Sequence, residues 1–70
     1  MSITIDADTN TISANGTPLT FFSNSIKIPS GNTQQRPQNP VMGMIRFNTQ
    51  IVELEGYNGN VWGNIKVNLI

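Results

Sequence analysis

The chain of 70 residues contains no cysteine and no histidine. Without cysteine, disulfides and thiolate zinc sites are excluded. Without histidine, the commonest general base and the commonest metal ligand are missing. A chain this short buries a small fraction of its surface and is marginally stable alone. We therefore expect no cofactor, and we expect stability to come from oligomerisation or from docking on a larger partner.

Charge is also scarce, since four basic and four acidic residues give a formal net charge of zero. A nucleic-acid-binding protein needs a basic surface to neutralise phosphates, so we expect no nucleic-acid partner. No apolar run approaches membrane-spanning length, and the N-terminus lacks the basic start of a signal peptide. The sequence therefore predicts no membrane contact. Its polarity comes from Asn, Thr, Ser and Gln, which another protein can cover with little desolvation of charge.

Sustained helical periodicity is lacking, while short alternating runs recur between turn signals. The sequence predicts an all-β fold of small antiparallel hairpins followed by a C-terminal three-stranded meander. We divide it into an N-terminal hairpin or attachment region over 1–28, an extended proline-containing connector over 29–42 and a meander module over 43–70. Together these form one compact unit.

The N-terminal region shows two turn signals. In SITID, Ile3 and Ile5 alternate with polar residues and predict a strand with both isoleucines on one face. The following DADTN predicts a turn. Asn15-Gly16 predicts a two-residue hairpin loop between TISA and PLTFF, because both positions tolerate positive φ. Pro18 directly after this loop suggests the start of an edge strand.

The central segment is polar and rich in proline. Ile26 and Ile28 predict one short strand. From Pro29 to Pro40 the chain cannot form regular ladders well, because proline lacks the backbone donor. Two interpretations remain open for this connector: an ordinary surface loop, or an arm that lies on a neighbouring subunit.

The C-terminal half predicts an antiparallel meander from about Gly43 to Val67. MIRFNT and VELEGY both alternate, and Asn58-Gly59 is a type I′ turn signal. The final KVNLI alternates too, and an apolar last strand leaves an edge that needs a cover. The predicted core consists of apolar and aromatic side chains: Ile45, Phe47, Leu54, Tyr57, Trp62 and Ile65.

One acidic stretch partly matches a calcium-binding loop. Asp6, Asp8 and Asn10 have the spacing of its first three ligands. Thr11 and Thr17 stand where the loop needs glycine and glutamate. Because Asp and Asn favour turns by bonding local backbone groups, we interpret the stretch as a turn.

The remaining candidates for chemistry are weak. Glu53 and Glu55 share one strand face at a separation of about 7 Å, which resembles a glycosidase pair. So small a chain can hardly form a sugar cleft, so we favour a solvated face or pairing with Arg46. Without histidine there is no ordinary triad, and no glycine-rich phosphate loop precedes a helix. Tyr57 and Trp62 could stack on a sugar, but a place in a small core is favoured. We predict no enzymatic activity.

The stretch RPQNPVMGMIRFNTQIVELEGYNGNVWGNI, residues 36–65, combines these features in a fixed order. It resembles a module found in tail fibres, head fibres and other virion surface proteins of tailed bacteriophages. Phe47 stands where tyrosine is usual, and QIVE stands where a polar turn is usual. The matching residues are Arg36, Pro37, Pro40, Gly43, Ile45, Arg46, Phe47, Asn48, Thr49, Glu55, Gly56, Tyr57, Gly59, Trp62 and Ile65. The match covers a little under half of the chain and leaves the N-terminal half without a family motif.

The resemblance implies a virion structural protein on the outer surface of the particle. Because the chain carries one module and no long fibre repeat, we expect a whole gene product that acts as a capsid decoration or cement protein. The resemblance further implies an intertwined homotrimer bound to the major capsid protein or another virion protein. The alternative is a tail- or head-fibre module for host adsorption, with Tyr57 and Trp62 exposed to a glycan and Asn58, Asn60 and Asn64 bonding it.

Two groups of site residues follow from this prediction. The expected module and oligomer core comprises Ile45, Arg46, Phe47, Leu54, Glu55, Gly56, Tyr57, Trp62 and Ile65. The expected attachment arms comprise Ile3, Ile5, Arg36, Pro37 and Pro40. A buried Trp62 favours the structural role, and an accessible one favours the glycan-binding role.

Overall fold

The computed structural model describes residues 3–68 and is nearly all β, which confirms the predicted fold class. Six strands and one 3₁₀ turn follow one another within the described residues. They are β1 (Ile3–Asp6), β2 (Thr11–Ala14), β3 (Ser30–Gly31), the 3₁₀ turn (Thr33–Gln35), β4 (Ile45–Asn48), β5 (Glu53–Tyr57) and β6 (Trp62–Ile65). No helix within these residues is long and apolar enough to cross a bilayer.

The strands form two sheets. β1 and β2 pair antiparallel in a sheet of their own, and the second sheet has the order β3-β4-β5-β6. In this second sheet β4, β5 and β6 form the predicted antiparallel meander. Gly43 enters it at φ +95°, and its N–H donates to the Tyr57 carbonyl at 2.9 Å. Glycine suits this entry because other residues rarely adopt such a φ.

The N-terminal hairpin turns at DADTN, the first predicted turn, and not at Asn15-Gly16. The Asp6 side chain accepts a hydrogen bond from the Asp8 N–H at 2.9 Å in the turn between β1 and β2. The predicted hairpin at Asn15-Gly16 is wrong: Gly16, at φ +75°, donates to the Ala14 carbonyl, and residues 18–22 form no strand. Pro18 removes a donor that a returning strand would need.

The connector is folded onto the sheet, so the prediction of an extended segment over 29–42 is wrong. β3 pairs in parallel with β4, while the predicted strand at Ile26 and Ile28 is absent. The Phe47 N–H donates to the Pro29 carbonyl, and the Thr49 N–H donates to the Gly31 carbonyl, both at 2.9 Å. Prolines at the ends of this segment do not prevent it from accepting such bonds, because proline keeps its carbonyl.

The 3₁₀ turn that follows is closed by a capping box. Asn32 accepts from the Gln35 N–H at 3.1 Å, and the Gln35 side chain accepts from the Asn32 N–H at 2.8 Å. This reciprocal arrangement satisfies two donors that a short turn otherwise leaves free. It brings Arg36 back over the sheet.

The hairpin between β5 and β6 lies where it was predicted, but its loop is longer. Tyr57 pairs with Trp62, so the loop spans residues 58–61 and is not the predicted two-residue type I′ turn. The Asn58 side chain accepts from the N–H groups of Asn60 at 2.8 Å and Val61 at 2.9 Å. This Asx-type bonding accounts for the longer loop.

The predicted apolar core is wrong, because no hydrophobic residue among residues 3–68 is buried. The buried residues are Arg46, Asn48 and Glu55. The connector covers the polar face of the meander, and the opposite face is left open. We call the open side the apolar face; its members are Ile45, Phe47, Leu54 and Ile65, which the register places together, with Val52 and Val67 at one end.

The molecule is also more extended than a compact domain of its size. Its accessible surface is 6280 Å², whereas a compact folded protein of 7.7 kDa exposes about 4,300 Å². Its radius of gyration is 14.5 Å, against about 11 Å expected for a compact chain of this length. Of the predicted last strand, residues 66–68 form no strand, and Leu69 and Ile70 lie outside the described residues.

The Asn58 loop yields a stability prediction. We expect Asn58→Ala to lower the free energy of unfolding by about 1–2 kcal/mol, because two loop N–H groups lose their acceptor. Asn60→Ala is the matched control, since the Asn60 side chain forms no hydrogen bond with any residue in the range 3–68. Urea denaturation followed by Trp62 fluorescence measures both. Equal stabilities for the two variants would contradict the role of Asn58.

Candidate functional site

The polar motif residues converge on one buried carboxylate, that of Glu55. Glu55 lies in the middle of β5, directly opposite Arg46 in β4. It is 0% exposed. Alternation along the strand turns it toward the face that the connector covers. The connector therefore supplies part of its surroundings.

Two arginines from different parts of the chain neutralise this carboxylate. The Arg36 Nε donates to Glu55 Oε1 at 3.2 Å, and the Arg36 Nη2 donates to Oε2. The Arg46 Nη1 donates to Oε1 at 2.9 Å. The rigid fork of Arg36 thus engages both oxygens, which is the strongest geometry for an arginine–carboxylate pair.

Asn48 and Arg46 extend the cluster to the connector backbone. The Asn48 Nδ2 donates to Glu55 Oε2 at 3.0 Å and to the Thr33 hydroxyl at 2.9 Å. The Arg46 Nη2 donates to the Asn32 carbonyl at 3.0 Å. A single network therefore joins β4, β5 and the 3₁₀ turn.

Close approach of the connector requires glycine at position 31. A Cβ on Gly31 would lie 2.6 Å from the Gln35 Oε1 and 2.9 Å from the Arg46 Nη2. Real Cβ atoms do not come so near, so a side chain here would push the arginine or the capping box away. Gly31 thus fixes how closely the connector lies on the sheet.

An aromatic pair covers the outer side of Arg36. The Arg36 guanidinium carbon lies 5.7 Å from the Trp62 ring centroid, within cation–π range. The Tyr57 and Trp62 rings are tilted by 52° with centroids 5.2 Å apart. Both aromatic residues are half-buried. Trp62 therefore covers one side of Arg36, and the Arg36 side chain remains about a third exposed.

The network keeps Glu55 ionised. The Arg36 hydrogen bonds, followed by those from Asn48 and Arg46 and by the charge of Arg36, lower the pKa of Glu55 from 4.5 to about 2 against the opposing effect of burial. The hydrogen bond to Glu55, together with the Glu55 charge, raises the pKa of Arg36 against the opposing effect of burial. A carboxylate that accepts four hydrogen bonds and stays charged is unsuited to donate or accept a proton near neutral pH.

The arrangement is therefore one that holds parts of the chain together. Glu53, which the sequence analysis compared with Glu55 as a glycosidase-like pair, lies outside the network. Its Oε1 atom is buried without a hydrogen-bond partner among residues 3–68. Within the same residues no three acidic side chains group into a possible metal site. Asp6 serves the β1–β2 turn instead.

The structure divides the predicted site residues into separate groups. Arg46, Glu55, Tyr57 and Trp62 meet in the cluster, and Arg36 joins them. Ile45, Phe47, Leu54 and Ile65 lie on the apolar face, where Gly56 faces the Ile65 side chain. The structure separates the attachment-arm residues: Ile3 and Ile5 are exposed in β1, Pro37 is exposed, Pro40 is half-buried, and Arg36 is bound within its own chain.

Sequence reasoning missed the connector's share of the site. Gly31, Asn32 and Thr33 were assigned to an extended polar segment. The spacing of Asn32 and Gln35 is that of a capping box, and it was a signal for a turn at this point. Asn48 was named as a residue of the resembling module but was not recognised as a Glu55 partner.

In comparisons with known proteins, no family model, no curated protein and no solved structure matches this chain. The resemblance to phage virion modules therefore rests on the order and spacing of the residues quoted above.

Removal of the Glu55 charge tests the cluster. We expect Glu55→Gln to lower the free energy of unfolding by about 3–5 kcal/mol, because it leaves two arginines without their counter-charge. Asp8→Asn is the control, since it removes an exposed carboxylate far from the network. Denaturation monitored by circular dichroism measures both at low ionic strength. A loss below about 1 kcal/mol for Glu55→Gln would contradict the proposed role.

The low pKa of Glu55 also predicts a pH dependence. Because its folded pKa is depressed, its contribution is complete above the unfolded value and is lost as pH falls toward the folded value. We expect about 3 kcal/mol to disappear between about pH 5 and pH 2. Denaturation across this range in wild type and Glu55→Gln measures the effect. The variant should show a shallower slope, and identical slopes would contradict the assignment.

Proposed function

We propose that this chain is a structural protein of a tailed-bacteriophage virion, a capsid decoration or cement protein on the outer surface of the head. It acts as a homotrimer and contacts the major capsid protein or another virion protein. Its work is to hold and stabilise a protein shell, not to transform a substrate. A ligand that binds only the assembled shell stabilises it by mass action.

The observation that carries the proposal is the distribution of apolar surface. The buried residues in the described chain are polar, while large apolar side chains remain exposed on both sheets. The surface exceeds that of a compact protein of this mass by about 2,000 Å². Surface of this amount matches stable protein contacts, which bury about 800 Å² per partner. A chain of this kind suits assembly.

The motif residues support the same role. Arg36, Arg46, Glu55 and Trp62, which carry the resemblance, hold the connector on the meander in one network. On this proposal, the pattern recurs in virion surface proteins because it encodes a small β unit that its own polar network stabilises. The virion location itself rests on this resemblance.

The N-terminal hairpin is the proposed shell-binding element. Ile3, Ile5 and Ile12 lie on one face and are 62%, 77% and 57% exposed. An isolated two-stranded hairpin is marginal in water, so a partner surface against these isoleucines stabilises it. The connector is a weaker candidate for the attachment arm than the sequence suggested, because Arg36 is bound to Glu55 within its own chain.

The glycan-binding alternative has less support. Trp62 is half-buried, Arg36 lies over its ring and Tyr57 leans against it. Sugar stacking uses an open aromatic face, which this arrangement restricts. The Asn58 side-chain oxygen is likewise occupied by its own loop.

Cryo-electron microscopy of the intact virus particle tests the location. We expect density for this chain on the outer head surface at symmetry axes. Density only on the tail or on protruding fibres would overturn the decoration role in favour of adsorption. Absence from purified particles would overturn the virion assignment as a whole.

A binding assay tests the hairpin. Particles stripped of this protein are incubated with purified chain, sedimented and assayed for bound copies. We expect Ile5→Asn to reduce binding at least about tenfold, because it removes an apolar contact. Thr4→Asn, on the opposite face of β1, is the matched control and should bind as wild type. Equal binding of both variants would contradict the hairpin contact.

A further inference from the structure

We propose that the apolar face of the meander, with Val52 and Val67 at its end, is the surface through which copies of this chain bind one another. This inference deepens the self-association part of the proposed function by naming its contact surface. It makes no use of the virion location.

The first argument is the geometry of the face. Phe47, Leu54 and Ile65 form one row across three strands, and Ile45, Gly56 and Gly63 form the next. A Cβ added at Gly63 would meet nothing within 4 Å. The two glycines make the second row a depression in the face. Ile45 at the end of this row is 55% exposed, and Ile65 in the neighbouring row is 40% exposed. A neighbouring apolar side chain can fill such a depression.

The second argument is a strained apolar residue at the end of this face. Val52 has φ +58° and is 69% exposed in the turn between β4 and β5. A β-branched residue in the left-handed region is a backbone outlier, and Asn or Gly would relieve it. Nothing within the protomer compensates the strain by burial. Together with Phe47, Leu54 and Ile65, it lines an open groove of about 430 Å³. Burial of the Val52 side chain against another chain would compensate this backbone strain.

The third argument identifies the occupant as a second copy. The groove contains one acidic and one basic residue, Glu53 and Lys66. The Glu53 Oε1 is buried and lacks a partner, and no ion pair joins these two residues in the described chain. In a closed ring, the next copy brings a Lys66 for this Glu53, and the Lys66 of this copy meets the Glu53 of the preceding copy. The zero net charge of the chain also leaves no overall repulsion between copies.

The fourth argument is area. The chain exposes about 2,000 Å² more than a compact protein of its mass, which is enough for two contacts of about 800 Å² per protomer. Two contacts per copy are what a closed ring of three provides. The expected assembly has a mass of about 23 kDa, three times 7.7 kDa.

Sedimentation equilibrium with Val52→Asn provides the main test. This substitution relieves the backbone and removes the apolar contact, so we expect folded protein whose dissociation constant is at least about tenfold higher than that of wild type. Val61→Asn is the matched control, an exposed valine in the other loop without positive φ. It should associate within about twofold of wild type. Circular dichroism verifies that both variants keep their β structure.

Charge exchange tests the occupant. We expect Glu53→Lys and Lys66→Glu each to weaken association, and an equimolar mixture of the two variants to restore it in part, because two of the three contacts in a mixed ring then join opposite charges. Mixing restores these pairs only if they form between chains. Failure of the mixture, with each variant folded and weakly associating alone, would overturn the Glu53–Lys66 contact between copies.

Two other results would overturn the proposal. A wild-type protein that sediments as a folded monomer at micromolar concentration excludes this self-association. A Val52→Asn variant that associates as tightly as wild type excludes the apolar face as its surface. Both results come from purified protein, so neither depends on where the chain lies on a particle.

Discussion

The carboxylate of Glu55 is the interaction on which the rest of the structure depends. It receives Arg36 from the end of the connector, Arg46 from β4 and Asn48 from the same strand. Without it, only hydrogen bonds such as those from Phe47 and Thr49 hold the connector on the meander, because no hydrophobic side chain in residues 3–68 is buried there. Buried ion pairs are seldom a net source of stability compared with apolar packing, but they fix one arrangement among many. Here that arrangement is the parallel docking of β3 on β4.

This constraint explains why the molecule is polar inside and apolar outside. The Glu55 network occupies one face of the meander. Because side chains alternate along a strand, the apolar residues between the network residues point to the opposite face. The apolar face is then available for contact with other chains. A protein of 70 residues cannot build a large core, and in the described residues of this one polar bonds set the shape while large apolar side chains stay exposed. Both proposals, shell binding through the hairpin and self-association through the apolar face, follow from that division.

The sequence was sufficient for features set by local patterns and insufficient for those set by distant contacts. The meander was predictable because alternation and turn residues mark its strands, and pairing of Glu55 with Arg46 was one of the two alternatives that the sequence left open. Tertiary context decided the rest. Asn58-Gly59 predicted a type I′ turn, but hydrogen bonds to the Asn58 side chain stabilise a longer loop instead. The apolar residues were predicted to form a core, but they lie on the face that the connector does not cover. The docking of Arg36 could not be read from alternation, since it depends on the turn between Asn32 and Gln35 and on the space left by Gly31.

The measurement that tests this account most directly is residue-resolved amide hydrogen exchange of the wild-type protein. The N–H groups of Phe47 and Thr49 donate to the connector carbonyls of Pro29 and Gly31. If the Glu55 network locks the connector to the sheet, these two amides should be protected to the same extent as the Leu54 and Glu55 amides inside the meander. Rapid exchange of Phe47 and Thr49 beside a protected meander would show that the connector opens independently, and it would contradict the central role of Glu55.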